Sequence, residues 1–475
     1  MLIQFKVANF QCFRDEVTLN LQPGGRDTRL LGNIWQGHRY RALKSAAIFG
    51  PNASGKTSLL HALYVFARFV RDSATRMNVG DPIRGISPFR LAGATCKEPS
   101  CFEVLIELEG VGYRYRLEAT AERVLHELVE RQDSAKGAGW LKLIDRDAKQ
   151  GHVALHERLG AQARRDQIVQ DTRDNALILS RAAERNVKPV VPLFNWFRQR
   201  VHHQNVGAGA PPDMMELTSI ARSAADDPKL LRRLSDFIRD ADTGIIRVDT
   251  EAVPVAVDGF LIDHPDNLSA KEKAAISELG KALNGLLKLH GEAEGENGVE
   301  RTGKLVRFFT EHGASGEAPV RFGLSDESAG TIRYLLLIGT LLQRLSSEDL
   351  LAVDEMHTSL HPQLARRVVQ MAHSPEFGRA GAQLLFTTHD VTLLDPDLLR
   401  RDQIILTQKR PEGAAEIYSL WDFEDMPRNT AAWARNYLAG RFGGVPVFGP
   451  SLADIPQVDQ PTPVESLATE TVEAE

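Results

Sequence analysis

Four short stretches of this chain carry residue types and spacings that could do chemistry. The first, GPNASGKT from Gly50 to Thr57, fits G-x-x-x-x-G-K-[ST], a loop whose backbone N–H groups cradle nucleotide phosphates. In such a loop Lys56 reaches the β/γ-phosphates and Thr57 holds Mg²⁺, while Gly50, Asn52, Ser54, Gly55 and Ser58 complete the cradle. The second stretch, DLLAVDE, is an apolar run ending in Asp354 and Glu355. An acid at the tip of a buried strand beside a phosphate loop suits a Mg²⁺ contact, and the adjoining Glu355 could deprotonate an attacking water. In the third, Ser328, Ala329 and Gly330 open a strongly apolar helical stretch. Such a small, polar helix start offers free N–H groups and a hydroxyl to an anion, although it also makes an ordinary N-cap. The fourth, QLLFTTHD, brings a strand to His389, 35 residues beyond Asp354, where a γ-phosphate sensor would be needed.

These residues need elements to hold them. SAAIFG reads as a short apolar strand running into the loop, and TSLLHALYVFARFVRDS carries apolar residues at helical spacing. Strand, Gly-rich loop and helix are the context the motif requires. Residues 1–21 alternate as two strands around QCFR, and 102–145 return to period two as a meander with a hairpin turn at Glu109-Gly110. The pattern from 156 to 240 is helical and Arg-rich, with a further helix over 271–290 and a Gly/Glu-rich loop after it. Beyond KLVRFFTE, strand and helix signals alternate to about 425, which argues a parallel sheet. The expected organisation is an N-terminal lobe over 1–155, a mainly helical insertion over 156–300, a C-terminal lobe over 301–449 and a disordered acidic tail over 450–475.

Composition narrows the class. At 475 residues, 43% hydrophobic and 25% charged, the chain can bury a large core. A net charge of −6 gives no general nucleic-acid footprint, so any DNA contact needs a local patch. The best such patch is Arg158 to Arg200, with nine Lys/Arg against four Asp/Glu; it could equally be a plain exposed helical face. Three cysteines without C-x-x-C fit a reducing cytosol, and neither a signal peptide nor an apolar run of membrane-spanning length is read. Asp395-Pro-Asp397 reads as a turn rather than a nuclease centre, and His357 and His361 as loop residues rather than zinc ligands. His202 and His203 read as a solvated helix end.

In this order and spacing the four stretches resemble the ABC-type ATPases. Gly50–Thr57 looks like the Walker A loop, Leu350–Glu355 like Walker B, Ser328–Gly330 like the signature loop, Met356–His361 like the D-loop and His389 like the switch histidine. VANFQCF is similar to the strand that opens the chromosome-maintenance and recombination-repair ATPases, and LSDESAGT, DEMHTSLHPQL, DQIILTQK and YLAGRFGGVP together resemble a prokaryotic family of stand-alone ATPases, AAA-type in name but ABC-like in build. That family is related to the chromosome-maintenance (SMC), recombination-repair and OLD-type ATPases, and the resemblance covers residues 1–448. It implies an α/β fold: an ABC-type phosphate-loop head with a mostly parallel sheet, an antiparallel β subdomain and a helical insertion. It also implies ATP and Mg²⁺, with ATP held between two heads so that one signature completes the other's site.

Some class features depart from the pattern. No coupling-segment glutamine is found; ISPFRL sits where that segment is expected, without a Gln. No sustained heptads separate Thr57 from Ser328, which disfavours long-range tethering of DNA. The absence of N-K-x-D disfavours a GTPase, and protein kinases do not use this loop. Members of the family are found in abortive-infection and anti-phage operons beside a nuclease or toxin subunit. The expectation is therefore a cytoplasmic ATPase that dimerises, or forms a higher oligomer, and controls such a partner, with DNA contact possible. The alternative is a DNA repair or recombination ATPase acting on ends or gaps.

Overall fold

The computed structural model of the chain describes residues 1–25, 27–132, 139–207, 212–241, 244–256, 302–313, 318–344, 347–358, 360–375, 381–423 and 433–446. The helix read over 271–290, the loop after it and the tail from 450 lie outside the described residues.

Three runs, SAAIF, LLAVD and QLLFT, are buried at every position, as strands covered on both faces must be. They lie side by side in a six-stranded sheet ordered Val201–Asn205, Leu350–Asp354, Gln383–Thr387, Ser45–Phe49, Ile404–Lys409, Ala415–Ser419. Its first five strands are parallel, and the last pairs antiparallel. Alternation assigns each strand's residues to two cores. Ala46, Ile48, Leu350, Ala352 and Leu385 face the helix Lys56–Asp72, while Ala47, Phe49, Leu351, Val353, Leu384 and Phe386 face the helices Ala329–Arg344 and Pro362–His373.

A seven-stranded antiparallel sheet stands on the far side of helix Lys56–Asp72. Its order is His152–Leu155, Leu141–Asp147, Val124–Gln132, Val111–Ala119, Ser100–Leu108, Leu2–Ala8, Val17–Asn20. Glu109 and Gly110 turn its central hairpin with φ of 51° and 76°, the two positive values a two-residue hairpin loop favours. Phe66 of the helix stacks between Phe102 and Tyr115 of this sheet and Phe197, with ring centroids 5.0–5.5 Å apart. The helix is thus the wedge between both sheets, and its first residues are the end of the phosphate loop.

The Arg-rich region holds short helices, including Gln162–Gln170 and Ile178–Glu184, followed by Met214–Asp226 and Pro228–Arg239. It also holds a strand, where the sequence suggests a solvated helix end. Val201–Asn205, containing His202 and His203, joins the parallel sheet with His203 opposite Ala352 and Asn205 opposite Asp354. Its polar sequence, with no apolar run and no alternation, hides it. What makes it a strand is the open edge of Leu350–Asp354, whose backbone groups need partners. A long hairpin, Ile245–Ala256 with Thr302–His312, extends into a small third sheet through Val320–Gly323 and leads to the helix Ala329–Arg344.

Candidate active site

The parallel strands deliver their chemistry at their C-terminal ends, where a doubly covered sheet opens a crevice. Strand Ser45–Phe49 runs directly into the loop at Gly50. A Cβ at Gly50 would lie 2.3 Å from Thr407 Oγ1 and 2.5 Å from the Thr407 carbonyl, and its φ is +154°, so no other residue fits. Ser54 Oγ and Thr407 Oγ1 then clasp the loop to the neighbouring strand at 2.5 Å. Gly55 is the N-cap of helix Lys56–Asp72, no side chain caps that end and its first turn holds no acid. The helix therefore presents its backbone N–H groups and positive dipole end to the crevice.

Lys56 is buried and folds back, donating to the carbonyls of Gly50 and Pro51 at 2.9 Å each. Burial lowers its pKa to about 8 against the raising influence of Asp354 and Glu355. Asp354, 1% exposed, ends its strand with Oδ1 accepting from Thr387 Oγ1 at 2.6 Å and from Thr57 Oγ1 at 3.1 Å. Two hydroxyls on one oxygen turn the carboxylate so that its charge and its second oxygen are left for a cation. This donor set, a hydroxyl and a carboxylate of two adjacent elements, suits Mg²⁺, which takes few protein ligands and keeps its waters.

Glu355 follows with φ 57°, a left-handed turn that swings it out of the strand. Its N–H donates to Thr387 Oγ1 at 2.7 Å, and its Oε2 accepts from Thr358 Oγ1 at 3.3 Å. Gly207 leaves it room, since a Cβ there would stand 2.5 Å from Oε2. His389 is exposed at the exit of its strand, its N–H donating to His357 Nδ1 at 3.3 Å and the two rings meeting edge-on at 5.2 Å. Partial desolvation, then the Lys56 and His357 charges, push the His389 pKa down to about 4, which leaves the ring neutral at pH 7.

Gly55, Lys56, Thr57, Ser58 and Ser54 line a cavity of about 500 Å³ together with Gln11, Cys12, Arg90 and Lys409. Asn52 is exposed at the loop's crown. Loop, acid strand and His389 strand thus converge. Asp354, Glu355, His389, Ser328 and Gly330 are not among that cavity's lining residues. Ser328 is exposed, and its Oγ accepts from the Thr331 N–H at 3.0 Å, the N-cap geometry.

Gln11, Cys12, Arg90 and Lys409 lie in the stretches VANFQCF, ISPFRL and DQIILTQK, but their sequence does not announce a place at the cavity, which they reach only because three distant parts of the chain close on it. Sequence reasoning also misses Asn205, Val206 and Gly207, whose segment borders the acid strand; the Val206 N–H donates to the Asp354 carbonyl at 3.1 Å. The ISPFRL segment borders the same cavity through Ser87 to Leu91, with the Ser87 carbonyl accepting from the Gln11 N–H at 2.7 Å and the Phe89 N–H donating to Asn9 Oδ1 at 3.0 Å. Asp395 accepts from the Asp397 N–H and from Arg366, the turn expected of it. His361 caps the helix Pro362–His373 through Gln363, apart from His357. Among the described residues no group of three or more His, Cys, Asp or Glu could hold a metal ion. No helix there is long and apolar enough to cross a membrane.

A phosphate loop on the strand two places from an acid strand, with the His389 strand between them, defines an ABC-type phosphate-loop ATPase head of α/β fold. The chain belongs to the family whose model is described as "AAA domain, putative AbiEii toxin, Type IV TA system", which matches residues 45–395. Solved structures similar to it include an SMC head bound to the C-winged helix domain of ScpA, at 12% identity over 88% of this chain and 97% of that one, with a TM-score of 0.38. Another is the SMC head domain from Thermotoga maritima, at 11% identity over 88% and 98%, with a TM-score of 0.34. At those scores the likeness is loose, and the assignment of the fold rests on the strand order itself. No curated protein matches the chain.

Proposed function

We propose that the chain hydrolyses ATP with Mg²⁺ at a head-to-head dimer interface and uses that cycle to control a partner effector, a nuclease or toxin, in anti-phage defence. The observation that carries the chemistry is the hydroxyl pair on Asp354, from Thr57 of the phosphate loop and Thr387 of the His389 strand, with Lys56 and Glu355 on either side. In this reading Thr57 and Asp354 would hold Mg²⁺, which would supply charge neutralisation for the phosphates. Lys56 leaves the Gly50 and Pro51 carbonyls for the phosphates, and the loop N–H groups take the remaining oxygens. Glu355 accepts the proton of the attacking water, and neutral His389 offers a ring N–H to the γ-phosphate. Ser328 to Gly330 complete the site of the second head, which fits the exposure of Ser328 and Ala329. The effector role draws on the family's toxin description.

The test is Glu355→Gln, which keeps the side chain's shape and removes its basicity. It should retain ATP binding and lose turnover by about a hundredfold or more. Hydrolysis at the wild-type rate would remove Glu355 from the reaction. Lys56→Ala should instead weaken nucleotide binding, read by calorimetric titration.

A further inference from the structure

We propose that Glu327 is a positioning residue for the helix start at Ser328, held by Thr310 and His312, so that the long hairpin sets the geometry of the composite site; this rests on the reading of Ser328 to Gly330 given above. The side chain of Glu327 is only 7% exposed, whereas Ser328 beside it is exposed. A buried carboxylate is costly unless donors meet it. Here the Thr310 hydroxyl and His312 Nε2, the latter at 2.7 Å, both engage Oε1. Thr310 and His312 are two apart on strand Thr302–His312 and so share one face of the hairpin. Phe322 holds the His312 ring edge-on with centroids 4.8 Å apart.

Ser328 is thereby fixed from both sides. Glu327 anchors it to the hairpin, and its own Oγ caps the helix through the Thr331 N–H. The arrangement also manages charge. A carboxylate next to a phosphate-binding helix start would repel the phosphate, and the two donors on Oε1 turn the charge back toward the hairpin. Any rotation of the hairpin must move the helix start, because the link is a pair of short, part-buried hydrogen bonds to a carboxylate rather than a flexible loop.

Heterodimers of differently tagged chains test this. One chain carries Lys56→Ala, so the surviving phosphate loop belongs to the other chain. His312→Leu placed on the Lys56→Ala chain damages the helix start that caps the surviving site. Turnover there should fall by about tenfold or more relative to the heterodimer without it. The same change on the chain with the intact loop should leave turnover near that reference. His312→Gln, whose amide N–H lies close to the position of Nε2, should restore most of the loss. Equal losses in both placements, or no loss in either, would overturn the positioning role. Gly330→Asp in the same two placements separates the causes: if it shows the asymmetry and His312→Leu does not, only the positioning role fails. If Gly330→Asp shows no asymmetry, the composite-site reading falls and this inference with it. Should His312→Leu fail to fold, Thr310→Val removes the other donor and gives the same readout.

Discussion

Thr387 is the side chain on which the acid strand turns. Its hydroxyl donates to Asp354 and accepts from the Glu355 N–H, so one oxygen orients the proposed metal acid and the proposed base together. Thr387→Val keeps the shape and strands a buried N–H, at a cost of about 1–3 kcal/mol. The half-saturating Mg²⁺ concentration for ATP hydrolysis should rise and kcat should fall by about tenfold, with Thr387→Ser restoring both. An unchanged Mg²⁺ titration would deny Thr387 this role. Lys56 gives a pH signature. Burial lowers its pKa to about 8 in the free protein, and phosphate contact favours the charged form. Below pH 8 the ammonium is already formed and affinity is full. Above pH 8 binding must take up a proton, so ATP affinity should weaken by up to about tenfold per pH unit. Calorimetry in buffers of different ionisation enthalpy should register that uptake.

At the scale of elements, the Arg-rich helices look different from their sequence. Arg164 donates to the Arg185 carbonyl and Arg165 to the Leu155 carbonyl, both at 2.5 Å. Arg181 pairs with Glu184, Arg185 with Asp171, and Arg173 donates to the Ser73 carbonyl. Arg165 ties its helix to the meander and Arg173 reaches the end of the phosphate-loop helix, while the other three bond within and between the short helices. Five arginines of the positive stretch thus bond to the chain itself, three of them through exposed contacts. The double variant Arg164→Glu and Arg165→Glu should therefore lower the melting temperature, each lost bond being worth about 1 kcal/mol. A variant with unchanged melting but weakened, salt-dependent DNA capture would return this surface to a binding role.

On the scale of the whole molecule, the Ser328 helix start stands exposed at the surface of its own head. The proposed site is complete only when a second head supplies it. Mixing Gly330→Asp chains with Lys56→Ala chains should recover the activity of one site per dimer, because one interface then has both halves intact. The check is ATPase activity of heterodimers isolated by two affinity tags; none recovered would argue that each head works alone.

Much of this was determined by local sequence. The phosphate loop, the buried strands SAAIF, LLAVD and QLLFT, and the Glu109-Gly110 turn follow from glycine geometry, apolar runs and hairpin twist, which act over a few residues. The tertiary structure alone decided what depends on neighbours far along the chain. Val201–Asn205 is a strand only because the edge of Leu350–Asp354 offers it backbone partners. Gln11, Cys12, Arg90 and Lys409 share a cavity only because distant parts of the chain close on the phosphate loop. Thr387 orients Asp354, and Glu327 meets His312, across 33 and 15 residues of sequence that carry no pattern linking them. A hydrogen bond needs its two atoms within about 3 Å, and folding, not spacing in the chain, brings them there.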